Sequence, residues 1–225
     1  MTRLTHGFIL ACMVAIPLST AAQAQEARET GIYAVARVGG SITPKQKIDL
    51  NDLSASFPED TKYKTGLTGQ IGAGYDFGRF RVEQTLGYAS NDLNAKDLRA
   101  GGLTGDGRTR SLSMTIAGYV DIPVTDRIVP YVGGGVGAAR VETKLSGVNA
   151  ATGDSSGFNG KDWGLMWHAD AGVGVRMSPK TTLEFGARYS QTSRLKYDGL
   201  NAAIKTSYEP KLSSVSGTVG LRHLF

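Results

Sequence analysis

Apolar and polar side chains alternate along several segments of the 225-residue chain. In segment 67–77 (LTGQIGAGYDF), one face carries leucine, glycine, isoleucine, alanine and tyrosine, and the other carries threonine, glutamine, two glycines and aspartate. A period of two residues is that of a β-strand, because successive side chains of a strand point to opposite faces. We therefore predict a strand with one apolar face and one polar face.

The same alternation recurs in five later segments, which begin at Phe80, Leu112, Leu165, Leu183 and Ser214. Segments 31–40 and 129–141 are less regular, because their many glycines and alanines blur the difference between the two faces. With these two included, the pattern predicts eight strands.

The length of the strands distinguishes a membrane protein from a soluble one. A hydrophobic content of 40% with 30 glycines would also fit a secreted soluble β protein. Soluble strands usually have about 5 to 6 residues, whereas several of these reach the roughly 9 to 11 that a tilted membrane strand requires. Lipid offers the backbone no hydrogen-bond partner, so a membrane sheet must close on itself. The predicted fold is all-β: an eight-stranded antiparallel transmembrane up-and-down β-barrel.

The connections between the predicted strands alternate between short and long. Short turns are expected near 76–79, 121–128 and 178–180, and long loops at about 41–63, 91–108, 142–163 and 193–210. Outer-membrane barrels have short periplasmic turns and long extracellular loops. We therefore expect the four long loops to be extracellular and both termini to face the periplasm.

The first 24 residues have the features of a secretory signal peptide. Arg3 precedes the apolar stretch 8–16, Pro17 interrupts it, and the small residues of segment 22–24 suit a signal peptidase. Cleavage after Ala24 would leave 25–225 as the mature barrel. A lipoprotein signal with Cys12 as the lipidated residue is the alternative, but it would leave a short apolar run. Cys12 is the only cysteine, so the mature chain would have no thiol.

Aromatic residues near the predicted strand ends suit the girdles that flank the apolar band of a membrane barrel. For any one of them, packing in the core is an equally good interpretation. They are Tyr33, Tyr75, Phe77, Phe80, Tyr88, Tyr131, Trp163, Trp167, Phe185 and Tyr189.

Charged side chains occupy the polar faces of the predicted strands and would point into the lumen. Eight strands leave an interior that side chains can fill, and buried charges are tolerable only when they are paired. We therefore expect an internal ion-pair network that braces and fills the lumen, with a selective pore as the alternative. Its predicted members are Arg81, Glu83, Asp170, Arg176, Glu184, Arg188 and Arg222.

Sites for catalysis, metals and phosphate are poorly supported. His168 and Asp170 share a strand face and could belong to a hydrolytic site, but no nucleophile is paired with them in the sequence. The mature chain would have only two histidines, His168 and His223, far apart in sequence. The glycines of 133–137 continue a strand rather than opening a helix, so they favour close packing over a phosphate-binding loop. We expect no enzymatic activity and no cofactor.

The net charge of +5 falls to +4 once Arg3 leaves with the signal peptide. The four long loops hold 11 Lys and Arg against 12 Asp and Glu, so they are nearly neutral. The excess of basic residues therefore lies in strands, turns and termini. This distribution argues against a nucleic-acid or heparin site in the loops, and it fits arginines in the lumen and contacts to lipid phosphates.

Two sequence features resemble a known family. Segment 119–123 (YVDIP), followed by 130–137 (PYVGGGVG), and the terminal Phe225 together resemble the opacity-type (Omp25/Omp31-like) outer-membrane β-barrel proteins. The resemblance covers most of the mature chain and implies a location in the outer membrane of a Gram-negative cell. It also implies that the barrel-assembly machinery recognises Phe225 with Leu221 and Val219, although His223 stands where an aromatic residue is commoner.

The resemblance does not fix one activity, because the family includes adhesins, immune-evasion proteins, small porins and barrels that brace the envelope. We expect a non-enzymatic protein with an envelope-structural or surface-interaction role carried by the loops. A narrow porin for small solutes is the main alternative, and a lipid-modifying enzyme is a more distant one. The expected partners are outer-membrane lipid or lipopolysaccharide, the barrel-assembly machinery and a host or surface ligand, but not nucleic acid.

Overall fold

The computed structural model describes residues 30–41, 45–47, 60–62, 65–92, 103–149, 155–193, 195, 197–198, 207–208 and 211–225. The predicted signal peptide, 1–24, lies outside the described residues, as do parts of the predicted long loops. A membrane-spanning helix is not found among the residues that the structure describes.

The described residues form twelve strands, and eight of them are long. The long strands are β1 (Gly31–Ser41), β4 (Gly66–Asp76), β5 (Phe80–Asp92), β6 (Leu103–Asp121), β7 (Ile128–Asn149), β8 (Ser155–Arg176), β9 (Thr181–Ser193) and β12 (Lys211–Leu224). The short strands are β2 (Lys45–Lys47), β3 (Asp60–Lys62), β10 (Tyr197–Asp198) and β11 (Ser207–Tyr208). β2 pairs with β12 and β3, and β10 pairs with β11.

The eight long strands form a closed antiparallel barrel. Each pairs with its neighbour in the order β1, β4, β5, β6, β7, β8, β9 and β12, and β12 pairs with β1 to complete the ring. The closing pair runs from Tyr33 opposite Leu224 to Ser41 opposite Ser216. Closure leaves no strand edge unpaired around the ring, which lipid requires. The predicted fold class is confirmed.

The predicted faces are also confirmed. In β4, for example, Leu67, Ile71 and Tyr75 are exposed on the outside, whereas Thr68 and Gln70 are buried inside. The barrel is thus apolar outside and polar inside, the reverse of a soluble protein. An apolar outer surface of this kind is stable only in lipid.

The two ends of the barrel differ in their connections. At one end, here called the turn end, the connections are 77–79, 122–127 and 177–180, and Gly31 and Phe225 lie at the same end. Gly78 adopts a φ of 100°, which glycine tolerates best, and its N–H donates to Asp76 Oδ1 at 2.7 Å. The opposite end is called the loop end.

The predicted loop at 142–163 is wrong in its bounds. β7 continues to Asn149, β8 begins at Ser155, and the two strands stay paired up to Val148 opposite Ser155. Within 91–108, β6 already begins at Leu103. These extensions were not predicted, because a strand that continues beyond the membrane no longer has the apolar outer face on which the prediction depended.

Within the described part of the chain, three strands therefore continue past their neighbours at the loop end. Among those residues, β5 pairs with β6 as far as Asp92 opposite Arg108, and β9 pairs with β8 as far as Ser193 opposite Leu165. Beyond those points, β6, β7 and β8 remain paired with one another. We call this three-stranded extension, residues 103–107, 145–149 and 155–164, the blade.

Candidate functional site in the lumen and at the loop end

Three arginines and four carboxylates meet in the half of the lumen nearer the turn end. All seven occupy inward positions of strands in the ring. This turn-side network consists of Arg37, Arg81, Arg222, Asp76, Glu83, Asp121 and Glu184.

Arg37 joins two carboxylates from opposite sides of the ring. Its Nη1 and Nη2 donate to the two oxygens of Glu83 at 2.5 and 2.9 Å, which is a bidentate arrangement. Its Nη2 and Nε also donate to Glu184 Oε2, at 2.8 and 3.0 Å. Charge-assisted bonds of this kind are the stronger hydrogen bonds in proteins. Arg37 therefore links β1 with β5 and β9 through the lumen.

Arg81 and Arg222 complete the network. Arg81 is fully buried, and its Nε donates to Asp121 Oδ1 at 3.1 Å. Arg222 Nη1 donates to Asp76 Oδ2 at 2.8 Å. Glu184 Oε1 lies 3.4 Å from Arg81 Nη1 and 3.1 Å from Arg222 Nε, at ion-pair distance. Glu184 thus contacts all three arginines of the network.

Three inward tyrosines pack against glycines on neighbouring strands. Tyr33 lies opposite Gly74, Tyr119 opposite Gly133, and Tyr131 opposite Gly172. A Cβ added to any of these glycines would stand 2.3 to 2.5 Å from the tyrosine ring. The absence of a side chain at each glycine therefore makes room for a ring in a lumen that is otherwise too narrow.

The tyrosine rings in turn cover the arginines. The Arg81 guanidinium lies 4.4 Å from the centre of the Tyr119 ring and 4.9 Å from that of Tyr131. Arg222 lies 5.6 Å from the Tyr33 ring centre. Cation–π contacts within about 6 Å are attractive, and more so when the cation is removed from water.

A second, smaller cluster lies beside the network. Arg188 Nε and Nη2 donate to the two oxygens of Asp170 at 2.6 and 2.8 Å. The Tyr119 hydroxyl donates to Asp170 Oδ2 at 2.8 Å, and His168 Nδ1 lies 3.0 Å from the same oxygen. Tyr119 therefore belongs to both groups: its hydroxyl bonds to Asp170 and its ring covers Arg81.

Neutral contacts hold the rest of the lumen. Hydroxyl pairs join Thr85 to Thr115 at 2.8 Å, Thr109 to Thr143 at 3.1 Å and Ser190 to Ser214 at 2.9 Å. Near the loop end, Leu195 is completely buried against Val141, with Leu212 packed on them. A cavity bordered by Arg37, Gln70, Tyr119 and Arg188 has room for about one water molecule.

The structure brings six of the seven predicted lumen residues together: Arg81, Glu83, Asp170, Glu184, Arg188 and Arg222. It does not bring Arg176 to them. Arg176 lies at the turn end, where its Nη1 donates to the backbone oxygen of Asp126 at 3.1 Å in an exposed turn. The alternation places Arg176 inward, but it is the last residue of β8, beyond the packed interior.

Sequence reasoning missed three charged members of the network. Arg37 lies in β1, where the inward positions Tyr33 and Val35 are as apolar as the outward ones, so the two faces could not be distinguished. Asp76 and Asp121 end β4 and β6. The alternation placed Asp76 on the polar face, but both residues were also taken as the first residues of short turns and were not included in the predicted network. An arginine within the blurred segment 31–40 was the one signal that could have pointed to the inward face.

The aromatic predictions are confirmed in part. Eight of the ten side chains are exposed on the outside, as girdle residues should be: Tyr75, Phe77, Phe80, Tyr88, Trp163, Trp167, Phe185 and Tyr189. Tyr33 and Tyr131 are buried in the lumen, so for these two residues the alternative interpretation, packing in the core, is the one that the structure shows. Their inward position follows from the glycines opposite them.

The last strand presents its predicted apolar row to the outside. Val219, Leu221 and Phe225 are 40%, 52% and 70% exposed. His223 is also exposed on this face; its Nδ1 lies 3.0 Å from the Thr181 hydroxyl, and its ring packs edge-on against Phe225. Recognition of the row by the barrel-assembly machinery stays a prediction.

The histidine–aspartate pair does not form part of a hydrolytic arrangement within the described residues. His168 is buried, and its Nε2 has no hydrogen-bond partner there. A catalytic histidine needs a nucleophile or water on that nitrogen and access for a substrate. The described residues also contain no group of three His, Cys, Asp or Glu side chains that could hold a metal ion.

Comparison with known proteins gives a curated relative and several solved structures. The "Putative adhesin RC1281" of Rickettsia conorii is 30% identical over 151 residues, which are 63% of this chain and 59% of that protein. The chain thus spans less than two thirds of the relative it matches.

Three solved structures are similar in outline. Neisserial surface protein A has 17% identity and a TM-score of 0.47, covering 88% of this chain and 99% of that one. Ail of Yersinia pestis has 14% sequence identity and a TM-score of 0.45, and the match covers 85% of this chain and 99% of that one. The outer membrane protease OmpT of Escherichia coli has 10% sequence identity and a TM-score of 0.49, and the match covers 87% of this chain and 97% of that one. Because these identities and TM-scores are low, we draw no conclusion about activity from the three structures.

The family is established by a direct match to the chain. The model of the outer membrane protein β-barrel domain matches residues 8–222, nearly the whole sequence. The match agrees with the apolar exterior, the closed ring of strands and the opacity-type resemblance in the sequence, and it places the protein in the outer membrane. The chain belongs to the outer-membrane β-barrel domain family.

Proposed function

We propose that the protein is a non-enzymatic surface-attachment barrel, with a closed lumen as its brace and the loop end as its binding surface. The observation that carries the proposal is the blade, since three strands continue past their neighbours at that end. Loops and extensions on a rigid scaffold are the usual place for binding residues.

The interior supports the proposal, because it is occupied by paired charges rather than by a water-filled path. Arg81, Glu83 and Glu184 are at most 1% exposed, and Arg37 bridges the ring between two of them. A lumen filled in this way is suited to rigidity. The naming of the Rickettsia conorii relative as an adhesin is consistent with attachment as the role of the exposed end.

The proposal can be tested by displaying the protein on a non-adherent Gram-negative host and counting cells retained on epithelial monolayers. A variant with residues 145–157 replaced by a short turn removes the β7 part of the blade and the start of its β8 part, and it leaves the lumen unchanged. We expect wild-type cells to be retained and cells with the shortened hairpin to fall to the level of the empty host.

Two controls make this result decisive. Heat-dependent gel migration must show that the shortened variant is folded, and the Thr115→Val variant, changed only in the lumen, must retain attachment. If the folded shortened variant attaches as well as wild type, the blade is not the binding surface. If expression changes only the detergent sensitivity of the cells, the role is envelope bracing and attachment is excluded.

A further inference from the structure

Basic residues are concentrated on one part of the outer surface at the loop end. On the outer face of β6, the apolar row ends at Leu112 and is followed by Arg110 and Arg108. On β7 the row ends at Ala138 and is followed by Arg140, and on β8 it ends at Trp163 and is followed by Lys161. The change from apolar to basic therefore occurs within one outward step of the pairing register on three adjacent strands.

The strand register aligns these residues in rows across the sheet. Leu112 pairs with Arg140, which pairs with Trp163. One step further out, Arg110 pairs with Glu142, which pairs with Lys161. Directly opposed side chains on one face of a sheet have Cβ atoms about 5 Å apart. We call the outward residues Arg108, Arg110, Arg140, Lys144 and Lys161 the rim patch.

Acidic neighbours neutralise the rim patch only in part. Asp92 Oδ1 accepts a hydrogen bond from Arg108 Nε at 2.7 Å, and Glu142 Oε1 lies 2.9 Å from Lys144 Nζ. The hydrogen bond from Lys144 lowers the pKa of Glu142, and the charges of Lys161 and Arg110 lower it further. Three cations thus surround one carboxylate, and the five basic residues exceed the two acids by three.

The rest of the loop-end rim lacks such a concentration on its outer face. Beyond the last apolar residues of their outer faces, Leu67, Tyr88, Tyr189 and Val215, the strands β4, β5, β9 and β12 continue with the uncharged Thr65, Ser90, Gln191 and Ser213. Among the side chains described, the excess of positive charge is therefore one-sided. It also adjoins Trp163, an aromatic residue of the kind that sits at headgroup level.

A one-sided basic surface directly beyond the apolar band lies where lipid phosphates lie. We propose that the rim patch binds the phosphate groups of the lipid in the leaflet at the loop end, which in an outer membrane is phosphorylated lipid A. Arg110, Arg140 and Lys161 contact the phosphates, while Leu112 and Trp163 contact the adjoining acyl chains. A basic side chain near an anionic membrane surface is attracted to it.

The test is lipid binding to the folded full chain in a neutral detergent, with bound lipid counted by native mass spectrometry. The probes are bisphosphorylated lipid A, the same lipid without phosphates, inorganic phosphate and a sulfated polysaccharide. Wild type is expected to retain bisphosphorylated lipid A over the dephosphorylated form, with retention falling as salt is raised.

Three variants separate the patch from general charge effects. Arg110→Gln/Arg140→Gln/Lys161→Gln is expected to weaken lipid A binding by at least about tenfold. Glu142→Gln removes the carboxylate among the cations and is expected to tighten it. Arg79→Gln/Arg127→Gln/Lys180→Gln removes three exposed basic residues at the turn end and is expected to leave binding unchanged.

Each outcome either supports or overturns the proposal. It fails if the first triple variant binds lipid A within twofold of wild type, if the turn-end variant loses as much, or if Glu142→Gln weakens binding. It also fails if the triple variant loses only the sulfated polysaccharide, which would make the patch a polysaccharide site. These outcomes are independent of cell attachment, which depends on the blade.

Discussion

The two halves of the lumen are held together by different interactions. Near the turn end, arginines and carboxylates meet in a network in which Glu184 alone contacts three arginines. Towards the loop end, hydroxyl pairs such as Thr109 with Thr143 and the apolar contact of Val141 with Leu195 take over. A narrow barrel can thus be filled in two ways. Paired charges are stable only while the charges balance, whereas neutral hydroxyl and apolar contacts do not depend on charge balance.

The difference has a physical consequence for substitutions. A buried charge that loses its partner cannot recover its hydration, so removing one member of a charged group is costly. A neutral hydroxyl pair contributes little net free energy, and replacing both members by apolar groups of similar shape can be nearly neutral. Substitutions in the two halves should therefore differ in the size of their effects.

The largest effect is expected for Glu184→Gln. The variant keeps the shape of the side chain and removes the negative charge that Arg37, Arg81 and Arg222 share, so it should lower the free energy of unfolding by about 3–5 kcal/mol. Urea unfolding in lipid vesicles, followed by the fluorescence of Trp163 and Trp167, measures it. Glu142→Gln at the exposed rim is the matched control and should change stability by less than about 0.5 kcal/mol.

The next comparison sets a buried arginine against one at the surface. Arg188→Gln leaves Asp170 without its bidentate partner and should destabilise the barrel by about 3 kcal/mol. Arg176→Gln breaks a single contact to Asp126 in an exposed turn and should stay within about 0.5 kcal/mol. Equal losses in the same unfolding assay would mean that Arg176 belongs to the buried network after all.

A steric prediction concerns the glycines that accommodate the tyrosine rings. In Gly133→Ala the new Cβ would lie 2.3 Å from Tyr119 Cδ1 and 2.5 Å from the Gly118 backbone oxygen. Overpacking of this kind costs about 1–3 kcal/mol and should displace the ring that covers Arg81. Gly69→Ala is the control, because its nearest contact would be 3.8 Å away. Unchanged stability in Gly133→Ala would contradict the packing described.

The smallest effects are expected for the neutral hydroxyl pairs of the lumen. Thr115→Val leaves Thr85 without its hydroxyl partner and should cost about 0.5–1.5 kcal/mol. The double variant Thr85→Val/Thr115→Val removes both hydroxyls and should recover most of that loss. If the double variant lost as much unfolding free energy as Glu184→Gln, the charged and the neutral contacts of the lumen would not differ in their sensitivity to substitution.

The sequence predicted the barrel better than it predicted the site. The reason is that the alternation of apolar and polar residues shows which face of a strand a side chain occupies. Leu67, Ile71 and Tyr75 face lipid, so the contrast with Thr68 and Gln70 was visible in the sequence. Alternation reports only the face, not which inward residues meet across the lumen. Arg37 was missed because Tyr33 and Val35 share its inward face, and both are apolar although they are buried.

The extent of the strands was hidden for a related reason. Beyond the membrane, both faces of a strand meet water, so no apolar face marks its course. Strand β7 therefore continues to Asn149, although the predicted strand ended at Val141. Pairing between strands, rather than side-chain pattern, defines the blade.

Single-channel recording in planar bilayers tests most directly whether the paired charges close the lumen. Wild-type protein, inserted and shown to be folded by heat-dependent gel migration, is expected to give no steady conductance, because Arg37, Glu83 and Glu184 occupy the path. A reproducible wild-type conductance that is lost when Arg81 or Arg188 is changed would contradict the closed lumen and make the protein a narrow channel.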